Sequence, residues 1–184
     1  LQLHQTERAR KLLHATQEVT DVISSSVTAE QVIAGVKQVL GELYPRCAIY
    51  LAPYNERTGR FDLPPEVGSH VIHANGDPDC FLCQLAKESL RTGKNQVRFK
   101  RHTSRKDDSR PLQPGNRASL GATLVSGGDN GNGRLLGVLM LESPQKDAFD
   151  GDDRAIIYNV ARQVLIALGR LEQEAVALVE AESR

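Results

Sequence analysis

The chain has no tryptophan, and aromatic residues make up only 4% of its 184 positions. That excludes a surface built to stack bases or sugars on aromatic rings. Neither sign of charge is in excess: 23 Lys plus Arg stand against 23 Asp plus Glu. The basic field that marks a nucleic-acid binder is therefore missing. The most basic stretch, RFKRHTSRKDDSR (98–110), is broken by aspartate and serine and reads as a solvated loop. No apolar run approaches the roughly 18 residues of a membrane span, so no membrane contact is expected from this segment. Three cysteines are too few, and odd in number, for a disulfide framework. A reducing cytoplasm is the expected location. The chain opens at Leu1 without a charged-then-apolar leader and reads as an excerpt of something longer.

What is present is a clear alternation of periodicities. In ERARKLLHATQEVTDVISSS (7–26), Leu12, Ala15, Val19, Val22 and Ile23 recur at three- and four-residue steps and predict a helix with one apolar stripe. Thr28 then opens T-A-E-Q, a capping box with Gln31 reaching back, and the second helix stops before Pro45. RCAIYLAPY (46–54) reads as a strand, N-E-R-T-G-R (55–60) as a turn, and RFDLP as a second strand that extends through VGSHVIHA. Asp77-Pro78 reads as a helix start, with Asp as N-cap. That helix ends at Gly93, a natural C-terminal cap. After a short strand at NQVRFK (95–100) come ASLGATLVS (118–126) and RLLGVLMLES (134–143), joined by a Gly/Asn-rich connection that predicts a hairpin. A last helix runs from Asp152, with Ile156, Val160, Val164, Ala167, Leu171, Ala175 and Leu178 close to a heptad. Helices around one antiparallel sheet make an α+β domain.

The last third carries the most specific pattern. GVLMLESP (137–144) leads into FDGDDRAII (149–157) and then a helix containing VARQVLIALGRLEQ (160–173). This resembles the closing segment of a GAF domain, the small-molecule-sensing module of signalling proteins. CAIYLAPYNERTGRF (47–61) resembles that family's first hairpin, and LAKESLRTGKNQVRF (85–99) its middle helix and following strand. The resemblance implies an antiparallel sheet with helices on both faces, long N- and C-terminal helices, and a ligand pocket on the sheet. It implies a binding rather than catalytic role, and it names no cofactor.

Within that frame the candidate chemistry centres on SHVIHANGDPDCFLC (69–83), which holds His70, His73, Cys80 and Cys83. A zinc site takes four Cys or His ligands in a tetrahedron. His70 and His73, three apart in a strand, would point to opposite faces about 10 Å apart. The stretch therefore reads as pocket rim, with no metal site and no metal needed for folding. A metal or redox sensor using Cys80 and Cys83 remains the alternative. Lys146, Phe149 and Asp153 match part of the family's cyclic-nucleotide signature, but its Asn is unmet and Arg154 replaces its second acid. Bilin attachment and methionine sulfoxide reduction are each missing residues those branches use: Cys80 and Cys83 are followed by Phe and Gln, and the 101–117 loop has no cysteine.

The expectation is thus a non-catalytic, cytoplasmic sensory domain: an N-terminal dimerisation helix over 1–26, the GAF-like core over 27–168, and an extension over 169–184 toward an output domain. A ligand-free dimerisation scaffold is a further alternative. The pocket is expected between the sheet and the helix starting at Asp77, with His73, Cys80, Cys83, Phe99 and Leu120 touching the ligand. Homodimer pairing is expected through Leu12, Val19 and Ile23 on the first helix and Val160, Val164, Leu171 and Leu178 on the last.

Overall fold

The computed structural model describes residues 2–67, 80–103, 109–127 and 132–184, apart from the side chain of His4. The chain divides into two compact units, one of residues 1–45 with 162–184 and one of residues 46–161.

In the first unit, α1 (Gln2–Ser25) and α2 (Ala29–Leu43) form a helical hairpin. The capping box forms as its sequence predicts: Thr28 Oγ1 accepts the N–H of Gln31 at 3.2 Å. Gln31 Oε1 reaches back to the N–H of Val27 at 2.8 Å, one residue beyond the cap itself. Tyr44 closes the helix by donating its N–H to Leu40, and Pro45 follows. Ala15 and Val19 of α1 are buried, as are Val32, Val36, Val39 and Leu40 of α2. The two helices approach closely at Gly35, where a Cβ would fall 2.3 Å from Val22 Cγ1.

The second unit is built on one antiparallel sheet of order β2-β1-β5-β4-β3. Its strands are β1 (Ala48–Asn55), β2 (Arg60–Phe61), β3 (Val97–Arg101), β4 (Ala118–Ser126) and β5 (Arg134–Ser143). Asn55 makes the first turn, its side chain accepting the N–H groups of Arg57 and Thr58 and its carbonyl that of Gly59, which sits at φ 66°. The second strand is only two residues long within the described chain. The expected extension through 67–74 lies almost wholly outside the described residues.

Strand alternation assigns the faces. Ser119, Gly121 and Thr123 of β4 share a face with Val138, Met140 and Glu142 of β5 and with Tyr50 and Ala52 of β1. Helix α3 (Phe81–Thr92) lies on that face: Ser89 Oγ is 2.6 Å from Thr123 Oγ1. A Cβ on Gly121 would sit 2.8 Å from Leu85 Cδ2. Phe81, Leu82, Cys83, Leu85 and Ala86 pack there with Val125, Val138 and Met140 into one core. The opposite face carries Leu120, Ala122, Leu124, Leu139 and Leu141, all buried.

Helix α3 ends as expected, at Gly93 with φ 64° and its N–H on Ser89 O. Its start differs from the sequence expectation. The N-cap is Cys80 rather than Asp77, and Cys80 supplies no side-chain cap bond. The Phe81 N–H is instead taken by the carbonyl of Arg110 at 3.0 Å, so a distant loop satisfies a helix donor that a local side chain was expected to satisfy. Helix α4 (Gly151–Glu182) begins one residue earlier than expected. Asp150 Oδ1 accepts the N–H groups of Asp152 and Asp153, and Asp153 returns a bond to the N–H of Asp150. Phe149 beside this cap is buried, and Arg154 Nε donates to Val97 O on β3 at 2.9 Å.

Candidate functional site

Among the described residues, α3 packs its apolar side chains onto one face of the sheet. A cavity of about 790 Å³ lies at the edge of that core, between Cys80 at the head of α3 and the segments 101–103 and 110–117. One part of its wall is apolar, from Val67, Cys80, Pro111, Leu112 and Pro114. The other is basic and polar, from Arg101, His102, Thr103, Arg110, Asn116, Arg117 and Lys146.

This wall is anchored by one buried carboxylate. Glu142, fully buried near the end of β5, interrupts an otherwise apolar strand. Its Oε2 accepts the N–H of Leu112 at 2.8 Å and the hydroxyl of Ser119 at 2.7 Å. Its Oε1 accepts the N–H of Gln113 at 3.2 Å and Asn116 Nδ2 at 3.1 Å. Three of these four donors come from the 112–116 turn and hold it onto the sheet; the fourth, Ser119, lies on β4. The backbone adds to this: Arg117 N–H donates to Ser143 O, and His102 N–H donates to Arg117 O, both at 2.7 Å.

His102 continues the network. Its Nδ1 lies 2.5 Å from Ser109 O and its Nε2 lies 2.7 Å from Ser119 Oγ. A carbonyl can only accept, so Nδ1 donates to Ser109 O. Ser119, which also bonds Glu142, links the imidazole to the carboxyl group. A buried acid of this kind must find hydrogen-bond partners, and Glu142 has four. The ring also stands edge-on to Phe81, with centroids 5.9 Å apart.

The expected site residues are only partly brought together. Cys80 lines the cavity. Cys83, one helical turn on, is buried in the α3 core and does not line it. Leu120 pairs with Phe99, and both point to the sheet face opposite α3: Leu120 is fully buried there, while Phe99 is 43% exposed. Neither reaches the cavity. His73 and His70 lie outside the described residues. Among the described residues no group of three metal-ligating side chains is present. All three cysteines are thiols, and half-buried Cys47 has its pKa raised, chiefly by burial.

The segment read as a solvated loop, 98–110, contributes Arg101, His102, Thr103 and Arg110 to the cavity. Sequence reasoning missed these residues, and it missed Glu142 as well. The available signal was an acid placed inside the apolar run LLGVLMLES, which must find donors wherever it is buried.

An antiparallel sheet of this order, with a helix and a loop-walled cavity on one face and long terminal helices, defines a class of α+β domain. The family model for the GAF domain matches residues 25–168. The chain belongs to the GAF domain family. No curated protein matches it. Among solved structures it resembles a putative GAF sensor protein from Burkholderia vietnamiensis, at 14% identity and TM-score 0.68, over 90% of this chain and 98% of that one. The phycoerythrobilin-bound GAF domain from a cyanobacterial phytochrome matches at 14% identity and TM-score 0.61, over 91% and 99%. The free methionine-R-sulfoxide reductase from Neisseria meningitidis, in complex with its substrate, matches at 16% identity and TM-score 0.64, over 89% and 91%. At these identities the likeness shows the fold alone. The likeness also corrects the expectation that this chain is not an enzyme, since methionine-R-sulfoxide reductases are among the structures that share its fold.

Proposed function

We propose that this GAF domain is the sensory part of a signalling protein and takes a small molecule in the cavity between Cys80 and the 110–117 segment. GAF domains generally bind small ligands in signalling proteins. The observation that carries the reading to this place is the cavity of about 790 Å³, which is of the size that holds a drug-like or metabolite ligand. One wall hangs on the buried Glu142, so occupancy can be felt at the end of β5, a short connection before α4. A ligand shifts such an element only by its differential affinity for two states.

The terminal helices complete the reading. Residues 169–184 extend α4 toward an output domain, and two chains pair along α1 and α4. No helix among the described residues is long and apolar enough to cross a membrane, and the three thiols fit a reducing cytoplasm. Native mass spectrometry of the protein purified without added cofactor tests the proposal. A stoichiometric small molecule, lost when Leu112→Trp fills the cavity, supports it. Protein that carries nothing and gains no thermal stability from a metabolite library speaks for a ligand-free scaffold.

A further inference from the structure

We infer that the cavity is built for an organic anion, with its carboxylate or phosphate group held by Arg117 and Lys146 and its apolar body lying against Val67, Cys80, Leu112 and Pro114. This rests on the proposal that the cavity takes a ligand, and it names the chemical class of that ligand.

The charge distribution carries the argument. The chain as a whole has formal charge +0, yet Arg101, Arg110, Arg117 and Lys146 converge on one cavity, and among the described residues none that lines it is acidic. Two nearby carboxylates do not offset this. Asp147 is engaged with Arg101 at 2.5 Å, and Glu142 is committed to its four donors. Among the described residues neither Arg117 nor Lys146 forms an ion pair. Both are exposed, and both are fixed at their bases: Arg117 by its backbone bond to Ser143 O, Lys146 by the turn that leaves β5.

Like charges gathered this way repel one another, and an anion relieves the repulsion while accepting charge-assisted hydrogen bonds. An inorganic ion would occupy only a small part of a cavity of about 790 Å³. The apolar wall opposite the cations calls for a ligand with a hydrophobic body. A neutral or cationic ligand would leave Arg117 and Lys146 with only water to answer their charge.

A pair of fluorescent probes tests this: 8-anilinonaphthalene-1-sulfonate, an organic anion, and N-phenyl-1-naphthylamine, the same aromatic body without the sulfonate. Titrations would use the folded 184-residue chain, its Arg117→Glu, Lys146→Glu and double variants, and Arg57→Glu as a control on the exposed β1–β2 turn. The expected result is at least a tenfold weaker anionic probe in the double variant, with little change for the neutral probe or for Arg57→Glu. Circular dichroism confirms that each variant is folded. If both probes bind but the reversals leave the anionic one unchanged, the anion inference is overturned while the ligand-binding cavity stands. If neither probe binds the unmodified protein, the cavity itself is not a binding site and both readings fall.

Discussion

The Ser119 hydroxyl sits 2.7 Å from Glu142 Oε2 on the neighbouring strand and 2.7 Å from His102 Nε2. One serine therefore links a buried imidazole to a buried carboxyl group beneath the wall of the cavity.

That relationship sets the first prediction. Glu142→Gln keeps the side-chain shape but removes the negative charge and one of the two acceptor atoms. It leaves at least one loop donor without a partner. The expected loss of unfolding free energy is about 3 kcal/mol or more, since each buried donor left unsatisfied costs about 1–3 kcal/mol. Ser119→Ala should cost less, about 1–3 kcal/mol, since it removes a hydrogen-bonded bridge and no charge. A double-mutant cycle on His102→Gln and Glu142→Gln by urea unfolding should show coupling of about 0.5–3 kcal/mol. Strictly additive losses would mean that the two residues are not acting as a pair.

Much of the fold was legible because its determinants are local. The Thr28–Gln31 box, the Gly93 cap, the Asn55 turn and the limits of β4 and β5 each follow from a few adjacent residues. The head of α3 and the cavity were not legible for the opposite reason. Phe81 finds its acceptor on Arg110, and Glu142 finds its donors on Leu112, Gln113 and Asn116, all far away in sequence. No periodicity encodes such pairings. Phe99 and Leu120 were placed in the pocket as apolar residues of the right strands. A period of two sends alternate residues to opposite faces, and only the register with Ser119 and Gly121 decides which face is which.

Two glycines in the sheet should respond differently to the same change. A Cβ on Gly137 would lie 2.6 Å from the Ala52 carbonyl oxygen, backbone of the paired strand. On Gly121 it would meet the far ends of Leu85 and Met140, which can swing aside. Gly137→Ala should therefore be the more destabilising, by about 1–3 kcal/mol on the scale of overpacking costs. Thermal unfolding of the two variants decides the order, and equal melting temperatures would contradict it.

Thiol reactivity should separate the three cysteines. Burial is the main cause of the raised Cys47 pKa; Asp153 adds to it and a hydrogen bond with Ser143 opposes it. Less of this group is thiolate at any given pH than for a free thiol, so its alkylation is slow at neutral pH and keeps rising above the ordinary thiol range. Cys83, buried in the α3 core, should label at appreciable rates only after unfolding, whereas Cys80, buried but in the cavity wall, should label slowly in the folded protein. Mass spectrometry after timed iodoacetamide treatment reads this directly. Rapid labelling of Cys83 in the folded protein would show that the α3 core opens.

Of the residues expected to pair two chains, Leu178 is exposed, but not all are. Val19, Val160 and Val164 are buried within a single chain, so Val164→Glu tests folding rather than association. One cluster of apolar positions left in water lies farther along α4: Val176, Leu178 and Val179 are 52%, 62% and 64% exposed. From Glu172 onward every residue of the chain is exposed. Such a length of helix is marginal alone, and a second copy offers it an identical apolar face. The same stretch carries Glu172, Glu174, Glu180 and Glu182, which suits a seam with acidic flanks. Leu178→Glu with Val179→Glu should place like charges at that seam, leave the melting temperature of the sheet domain within a few degrees, and shift the protein to monomer in light scattering at tens of micromolar. A dimer that survives both changes must pair elsewhere, and an unmodified chain that is already monomeric at that concentration does not pair through α4.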